Sequence, residues 1–416
     1  MKKVIISLLV AGAVAAANAQ DKALLETLVK KGMLTQQEAA QIAKDSVAVT
    51  PATKSTKSIK IFGGAQGWYS WGKNSVKSGS KAIGQQNGFT LRYVKLGIEA
   101  DVGGGWSAEV VTDFGMEGES KNYLDKVVAS KKIDLDYING TLQLGLRKVN
   151  MGYEQNMDDF GQLAVERSVA TYFFTRYDGK NFGSRTVGVF WDGNITQVDG
   201  LYYGAAVTSG VSESCGGEDN YITEAQDSSA LSFWANMGYK NVADVKGETL
   251  SYDIGVNFGY APQGMNDVIP NTKKGSVWGI NPYATLNWRG LTLIGEFFLQ
   301  QAEDYYTPGR NGVGRTPMGA NFTAAYKMDI GEWGAIEPVF RGSYVSTNGM
   351  GLRSAYSGDD LENVNQAMTF YGGVNWYATT AVKTSLGYEF AYYDQGDASV
   401  ERVYGNTVWA QVQVLF

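Results

Sequence analysis

From Ser58 to Phe416 the chain alternates apolar and polar residues with a period of two, the signature of strands buried on one face only. The last segment shows it plainly. Val408, Ala410, Val412, Val414 and Phe416 fall on one face, and Trp409, Gln411 and Gln413 on the other. Leu250, Tyr252, Ile254, Val256 and Phe258 alternate in the same way with Ser251, Asp253, Gly255 and Asn257. Sixteen such segments are expected, near 59–71, 88–101, 105–115, 131–138, 141–149, 184–192, 199–209, 229–240, 249–260, 276–288, 291–302, 317–330, 334–347, 366–378, 381–394 and 403–416.

The connections alternate as regularly as the residues. Short ones include Gly103-Gly104, Asn139-Gly140, Arg289-Gly290, Gly331-Glu332-Trp333 and Thr379-Thr380. Long ones fall near 72–87, 116–130, 150–183, 210–228, 261–275, 303–316, 348–365 and 395–402. Tight turns alternating with long loops predict an all-β fold: a closed antiparallel transmembrane β-barrel of about 16 strands, turns periplasmic and loops outside. An even strand number puts both termini on the periplasmic side. Closure is required because an unpaired backbone group in hydrocarbon costs several kcal/mol. Pro282 and Pro338 each remove a ladder bond, which predicts that their strands start slightly later than assigned. Trp106, Trp288, Trp333 and Trp376 lie beside short turns, where an interfacial aromatic girdle belongs. Trp409, Val412, Val414 and Phe416 form the candidate C-terminal signal for the barrel-assembly machinery.

The N-terminus assigns the compartment. Lys2 and Lys3, the apolar run Val4–Ala17 and the Ala17-Asn18-Ala19 cleavage site read as a secretory signal peptide over 1–19. Residues 20–45 read as a short periplasmic helical hairpin, with Gly32 closing its first helix and a Thr35/Glu38 capping box opening the second. Residues 46–57 read as a linker and 58–416 as the barrel. Together these predict the bacterial outer membrane, with its lipid as a partner.

Several function classes are excluded. Without Lys2 and Lys3 the 36 Lys and Arg fall to 34, against 42 Asp and Glu, a net charge of −8 with no basic tract. Such a chain is a poor nucleic-acid binder. The single cysteine, Cys215, cannot form an internal disulfide and reads as an incidental loop residue. No histidine occurs, which removes Ser-His-Asp and Cys-His catalysis and His-ligated zinc. Neither an enzyme nor a cofactor is expected.

The inward-facing positions carry Lys95, Glu99, Asp101, Glu109, Asp113, Lys132, Asp134, Asp136, Arg147, Asp253, Glu296, Lys327, Arg341, Lys383 and Glu389. Isolated buried charges are too costly, so this list implies water inside, either an open pore or a barrel plugged by polar loops. The longest connection, 150–183, carries Glu154, Asp158, Asp159, Glu166, Arg167, Arg176 and Lys180. A loop this long is usually functional. It is expected to fold into the lumen and narrow it; the alternative is an external cap.

Several blocks resemble the phosphate-selective porin O and P family of outer-membrane channels, in its bacteroidete-like members. They are LLETLVKKGMLTQQEA at 24–39, FTLRYVKLGIEADV at 89–102, LQLGLRKVNMGYEQ at 142–155, VERSV at 165–169, and Arg176 followed by Gly179. Tyr93 stands where that family has a second arginine after Arg92. The resemblance implies a sixteen-stranded homotrimeric porin whose inner wall and constriction loop attract anions. It carries over Arg92, Glu166 and Arg167 and, more loosely, Arg147 and Arg185. Lys95, Arg176, Arg341 and Lys383 complete the candidate solute path.

The reading that follows is a passive channel for small hydrophilic solutes or ions, including anions such as phosphate. The lumen charges are mixed in sign, so the preferred charge stays open. One alternative is a specific channel for a larger solute such as an oligosaccharide, with Trp234, Tyr283 and Tyr371 as candidate lumen aromatics. Another, from a different class, is a surface adhesin or structural barrel.

Overall fold

The computed structural model describes residues 57–76, 82–115, 124–175, 185–209, 231–262, 275–307, 310–352, 364–394 and 402–416. The predicted signal peptide, helical hairpin and most of the linker, together with Cys215 and Arg176, lie outside the described residues.

The described chain forms a closed antiparallel transmembrane β-barrel of sixteen staves. The first eight are β1 (Ser58–Val76), β2 (Ala82–Gly103), β3 (Trp106–Asp113), β4 (Leu124–Asp134), β5 (Ile138–Lys148), β6 (Arg185–Ile195), β7 (Leu201–Thr208) and β8 (Ser232–Val245). The second eight begin with β9 (Glu248–Ala261), β10 (Val277–Trp288) and β11 (Leu291–Thr307). Stave β12 is interrupted, running through Arg310–Arg315, Met318–Tyr326 and Met328–Asp329. It is followed by β13 (Ala335–Ser346), β14 (Gln366–Tyr377), β15 (Val382–Asp394) and β16 (Val403–Leu415). Each stave pairs with its neighbours in sequence, and β1 closes on β16 from Gly64 opposite Leu415 to Val76 opposite Val403. Closure leaves no strand edge to face hydrocarbon.

The two faces divide as the alternation predicts. Outward-facing Leu144, Met237, Ile254, Phe322, Phe340, Leu386 and Val412 are exposed around the outer wall. They belong against lipid, so exposure costs nothing there. Inward-facing Gln66, Asn257, Glu296, Asn321, Arg341 and Gln413 are buried. At the closing seam Gln66 Nε2 donates to Gln413 Oε1 at 3.1 Å and Trp68 Nε1 to Gln411 Oε1 at 2.9 Å. Trp106, Trp333 and Trp376 are exposed at the short-turn end, where Trp376 Nε1 donates to the Trp333 carbonyl at 2.7 Å.

Three local expectations are corrected. Asn139-Gly140 is not a turn. Both residues pair within β5, opposite Asp134 and Ile133, and the turn falls at 135–137. Gly140 is required there by close approach: a Cβ would come within 2.5 Å of the Asp192 carbonyl and 2.7 Å of the Trp191 ring. Accordingly β4 starts at Leu124, inside a stretch expected to be loop. The strands of the two prolines start later than assigned by one residue only and keep the prolines inside them, since β10 begins five residues before Pro282 and β13 three before Pro338. Each proline lies where the neighbouring ladder is already broken. The β10–β11 register skips Asn281 and Pro282, and Asn281 Nδ2 donates instead to the Phe297 carbonyl at 3.0 Å. Pro338 faces the break in β12 between Tyr326 and Met328. By contrast, Arg289-Gly290 is the expected tight hairpin, with φ of 49° and 82°.

Candidate functional site

After β5 the chain turns into the barrel rather than over it. This segment carries a short helix α1 (Tyr153–Asn156), a 3-10 turn (Asp159–Gly161) and helix α2 (Val169–Thr175). Its entry is fixed locally. Gly152 has φ 82°, and Asn156 Nδ2 donates to the carbonyls of Val149, Met151 and Gly152 at 3.1, 3.3 and 2.9 Å. Asp158 accepts from the Phe160 N–H at 3.1 Å, opening the 3-10 turn.

One side of the segment is packed dry onto the wall. Phe174 of α2 stacks on Phe298 with centroids 4.9 Å apart and planes 6° from parallel. Around them Val149, Met151, Phe173, Val345, Met350 and Leu352 form a buried apolar cluster inside the barrel. A second cluster joins Ala164 and Val165 to Trp68, Tyr371 and Trp409. Burying each large side chain contributes about 2 kcal/mol. Polar groups are matched as closely. Arg341 pairs with Glu154 at 3.1 Å and Glu389 at 2.9 Å. Glu296 accepts from the Tyr153 N–H at 2.7 Å, and Lys383 Nζ donates to the Gln162 carbonyl at 2.9 Å. Arg92 pairs with Glu166 at 3.0 Å, over the rings of Trp68 and Tyr93. Arg92 points inward because β2 bulges there: Gln66 faces Tyr93, Gly67 faces Leu91, and Arg92 is the extra residue.

The other side faces an opening of about 720 Å³ between the segment and the β2–β6 wall. Its floor is a charge cluster centred on Asp159. Lys95, Lys148 (3.2 Å), Arg167 and Arg185 (3.9 Å) all contact that carboxylate, and Asp125 bridges Lys95 at 3.0 Å and also binds Arg185. Burial pushes the Asp159 carboxyl up, but Lys148, Arg167, Lys95 and Arg185 outweigh it and hold it well below the usual carboxylate range. Further along, Lys126 pairs with Glu109 at 2.6 Å and Arg147 with Asp192.

The candidate residues thus separate into two groups. Lys95, Arg167 and Arg185 converge on Asp159, and Arg147 lines the opening nearby. Arg92, Glu166, Arg341 and Lys383 are buried at the contact between segment and wall. Water therefore does not explain every inward charge: Glu296, Arg341, Lys383 and Glu389 are buried against partners supplied by the loop and its neighbours. Of the candidate lumen aromatics, Trp234 and Tyr371 are buried, and Tyr283 lines an opening. Asp125, Lys148 and Asp192 were not among the candidates. Asp125 fell in a stretch read as loop, and Lys148 and Asp192 gain meaning only when β5, β6 and the segment are brought together.

No family model matches the sequence, and no curated protein matches it. Solved structures do. Pseudomonas putida OprB is 10% identical, with 86% of this chain and 94% of that chain covered and a TM-score of 0.57. The anion-selective porin from Comamonas acidovorans is 12% identical, with 86% and 99% covered and a TM-score of 0.53. The outer membrane channel DcaP of Acinetobacter baumannii is 9% identical, with 88% and 99% covered and a TM-score of 0.53. At these identities the likeness is one of fold: the chain has the barrel fold of outer-membrane porins.

Proposed function

We propose that this protein is a passive outer-membrane channel for small hydrophilic solutes, without a filter for anions. The observation that carries this reading is a lumen left open along one wall and lined by charges of both signs that neutralise each other. An anion filter needs a focused positive field. Here Arg92, Lys95, Arg147, Arg167, Arg185 and Arg341 each lie against a carboxylate. The porin-like fold supports the channel reading, while phosphate as cargo has no such support in the charge balance. The same reading makes 1–19 an export signal and 20–45 a periplasmic hairpin. It puts the short turns and both termini in the periplasm, has the assembly machinery read the C-terminal strand, and makes the native form a trimer.

The test is conductance in planar bilayers across a salt gradient. We expect steady channels with a reversal potential near zero or slightly favouring cations. A reversal potential strongly favouring anions would overturn the neutralised-lumen reading, and an absence of channels would overturn the channel reading itself.

A further inference from the structure

The opening continues past the Asp159 cluster into a smaller space of about 320 Å³, at the low end of the roughly 300–1,000 Å³ typical of ligand pockets. Asn156, Met157 and Asp192 line both, so the two spaces adjoin. The chemistry changes between them. The first is lined by the lysines Lys95, Lys126 and Lys148, by Arg147 and by carboxylates. The second is lined by the amides Asn150, Asn236 and Asn257, the paired Asp192, and the rings of Tyr153 and Tyr283.

The two tyrosines form a stacked pair. Their rings lie 4.8 Å apart, tilted by 35°. Tyr283 is tied through its hydroxyl to Tyr202, whose own hydroxyl donates to Asp253 Oδ1 at 2.6 Å. The wall beneath is cleared for them. A Cβ on Gly255 would lie 2.6 Å from the Tyr283 hydroxyl, and one on Gly238 would lie 2.2 Å from that of Tyr202. Aromatic rings laid over strand glycines stiffen a sheet, and here the same arrangement fixes a stacked aromatic pair that borders the space inside a wet lumen. Opposite it the amides are held in place. Asn150 Nδ2 donates to Asn236 Oδ1 at 2.8 Å and to Asp192 Oδ1 at 3.1 Å, and Asn257 Nδ2 to Asn281 Oδ1 at 2.8 Å.

We propose that this space is a binding subsite for neutral, polyhydroxylated ring solutes, that is, sugars. A sugar ring offers an apolar C–H face to an aromatic surface and a rim of hydroxyls that both donate and accept. Asn150 is fully engaged, its Nδ2 on Asn236 and Asp192 and its Oδ1 accepting from Arg147 at 3.1 Å, but it orients Asn236, whose Nδ2 and the Oδ1 of Asn257 offer that rim a donor and an acceptor. An ionic solute fits worse: the space offers it no unpaired charge to offset lost hydration, because Asp192 is already committed to Arg147. The proposal rests on the channel reading for its access route but not for the site itself.

The test is titration of open channels with maltotriose, against a polyethylene glycol of similar mass as a size control. We expect maltotriose to reduce the current saturably and the polymer only in proportion to its concentration. Tyr283→Ala should raise the half-blocking concentration about tenfold, and Tyr283→Phe, which keeps the ring, less than about threefold. If Tyr283→Ala fails to form barrels, Asn236→Leu should give a similar loss by removing the amide. Equal effects of the sugar and the polymer, or an unchanged half-blocking concentration in Tyr283→Ala and Asn236→Leu, would overturn the subsite. Should the protein form no channels, calorimetric titration of the detergent-purified barrel with maltotriose separates the two readings. Saturable binding lost in Tyr283→Ala keeps the subsite, and no binding overturns it.

Discussion

The inserted segment meets the barrel on two sides that are built differently. Toward β11–β16 it is sealed: Phe174 stacks on Phe298, Val165 packs beside Tyr371 and Trp409, and Arg341 sits 1% exposed between Glu154 and Glu389. Toward β2–β6, apart from the buried Arg92–Glu166 pair, it stands off the wall, and Asp159 meets Lys95 and Lys148 beside an open space. The same residue types therefore do different things. A buried ion pair fixes where the segment sits, because removing one partner leaves an uncompensated charge in a dry place. A pair bordering water costs little to break and mainly sets the local field. The sealed side acts as an anchor and the open side as the solute path.

The largest expected effect is therefore at Arg341. Arg341→Ala leaves Glu154 and Glu389 facing each other with Glu296 nearby, and should cost about 3–5 kcal/mol of the segment's attachment. We expect a lower melting temperature, and channels that are larger and noisier because the segment no longer holds its place. Unchanged conductance and melting would break the comparison, since the sealed side would then not be the anchor.

Asp159 tests the seam between the two sides. Asp159→Asn removes the carboxylate shared by Lys95, Lys148, Arg167 and Arg185, and should cost about 1–3 kcal/mol, less than Arg341→Ala because the amide keeps an acceptor in place and two of these cations, Lys95 and Lys148, border the opening. It should also shift the reversal potential toward anions. The pH dependence has a defined sign. The carboxyl's value is depressed in the folded protein, so its contribution is fully present above the ordinary value of 3.8 and is lost only as pH falls through the lower, folded value. Asp159 itself should thus contribute nothing to the pH dependence between neutral pH and 3.8, so the difference in conductance between the unmodified channel and Asp159→Asn should stay constant over that range and close only in stronger acid. A difference between the unmodified protein and Asp159→Asn that closes above 3.8 would show that the cluster does not hold Asp159 ionised.

The barrel was legible in the sequence because period-two patterning and alternating connection lengths are local signals that survive without tertiary information. Most strand edges lie within a few residues of the expected ones, but β1, β8 and β11 run about five residues further, β2 and β12 start six or seven residues earlier, and β4 is displaced as a whole. There Asn139-Gly140 carries a hairpin signal, yet Gly140 is glycine because Trp191, fifty-one residues later, lies against it. The inward fold of the long loop was legible from its length and its charges. The division of those charges into dry anchors and solute path was not. Whether an inward arginine meets water or a carboxylate depends on which part of the segment crosses beside it, and Arg341 and Arg147 look alike along their strands. Arg92 shows the same limit, since simple alternation from Lys95 turns it toward lipid and only the bulge brings it in.

The smallest expected effect lies wholly on the open side. Lys126 and Glu109 pair at 2.6 Å with side chains 32% and 22% exposed, so water screens them and either can rehydrate when its partner is lost. Lys126→Ala should change stability by less than about 1 kcal/mol and leave the melting temperature nearly unmoved. Its effect should be electrical instead. Glu109 then faces the passage unneutralised, and the reversal potential should move toward cations, more at low salt than at high because the field of an exposed charge is screened by added ions. Paired with Arg341→Ala this sharpens the contrast, as one substitution moves stability and gating noise and the other moves selectivity alone. A large loss of stability in Lys126→Ala would mean that the open wall also carries the segment, and the two sides would no longer differ in kind.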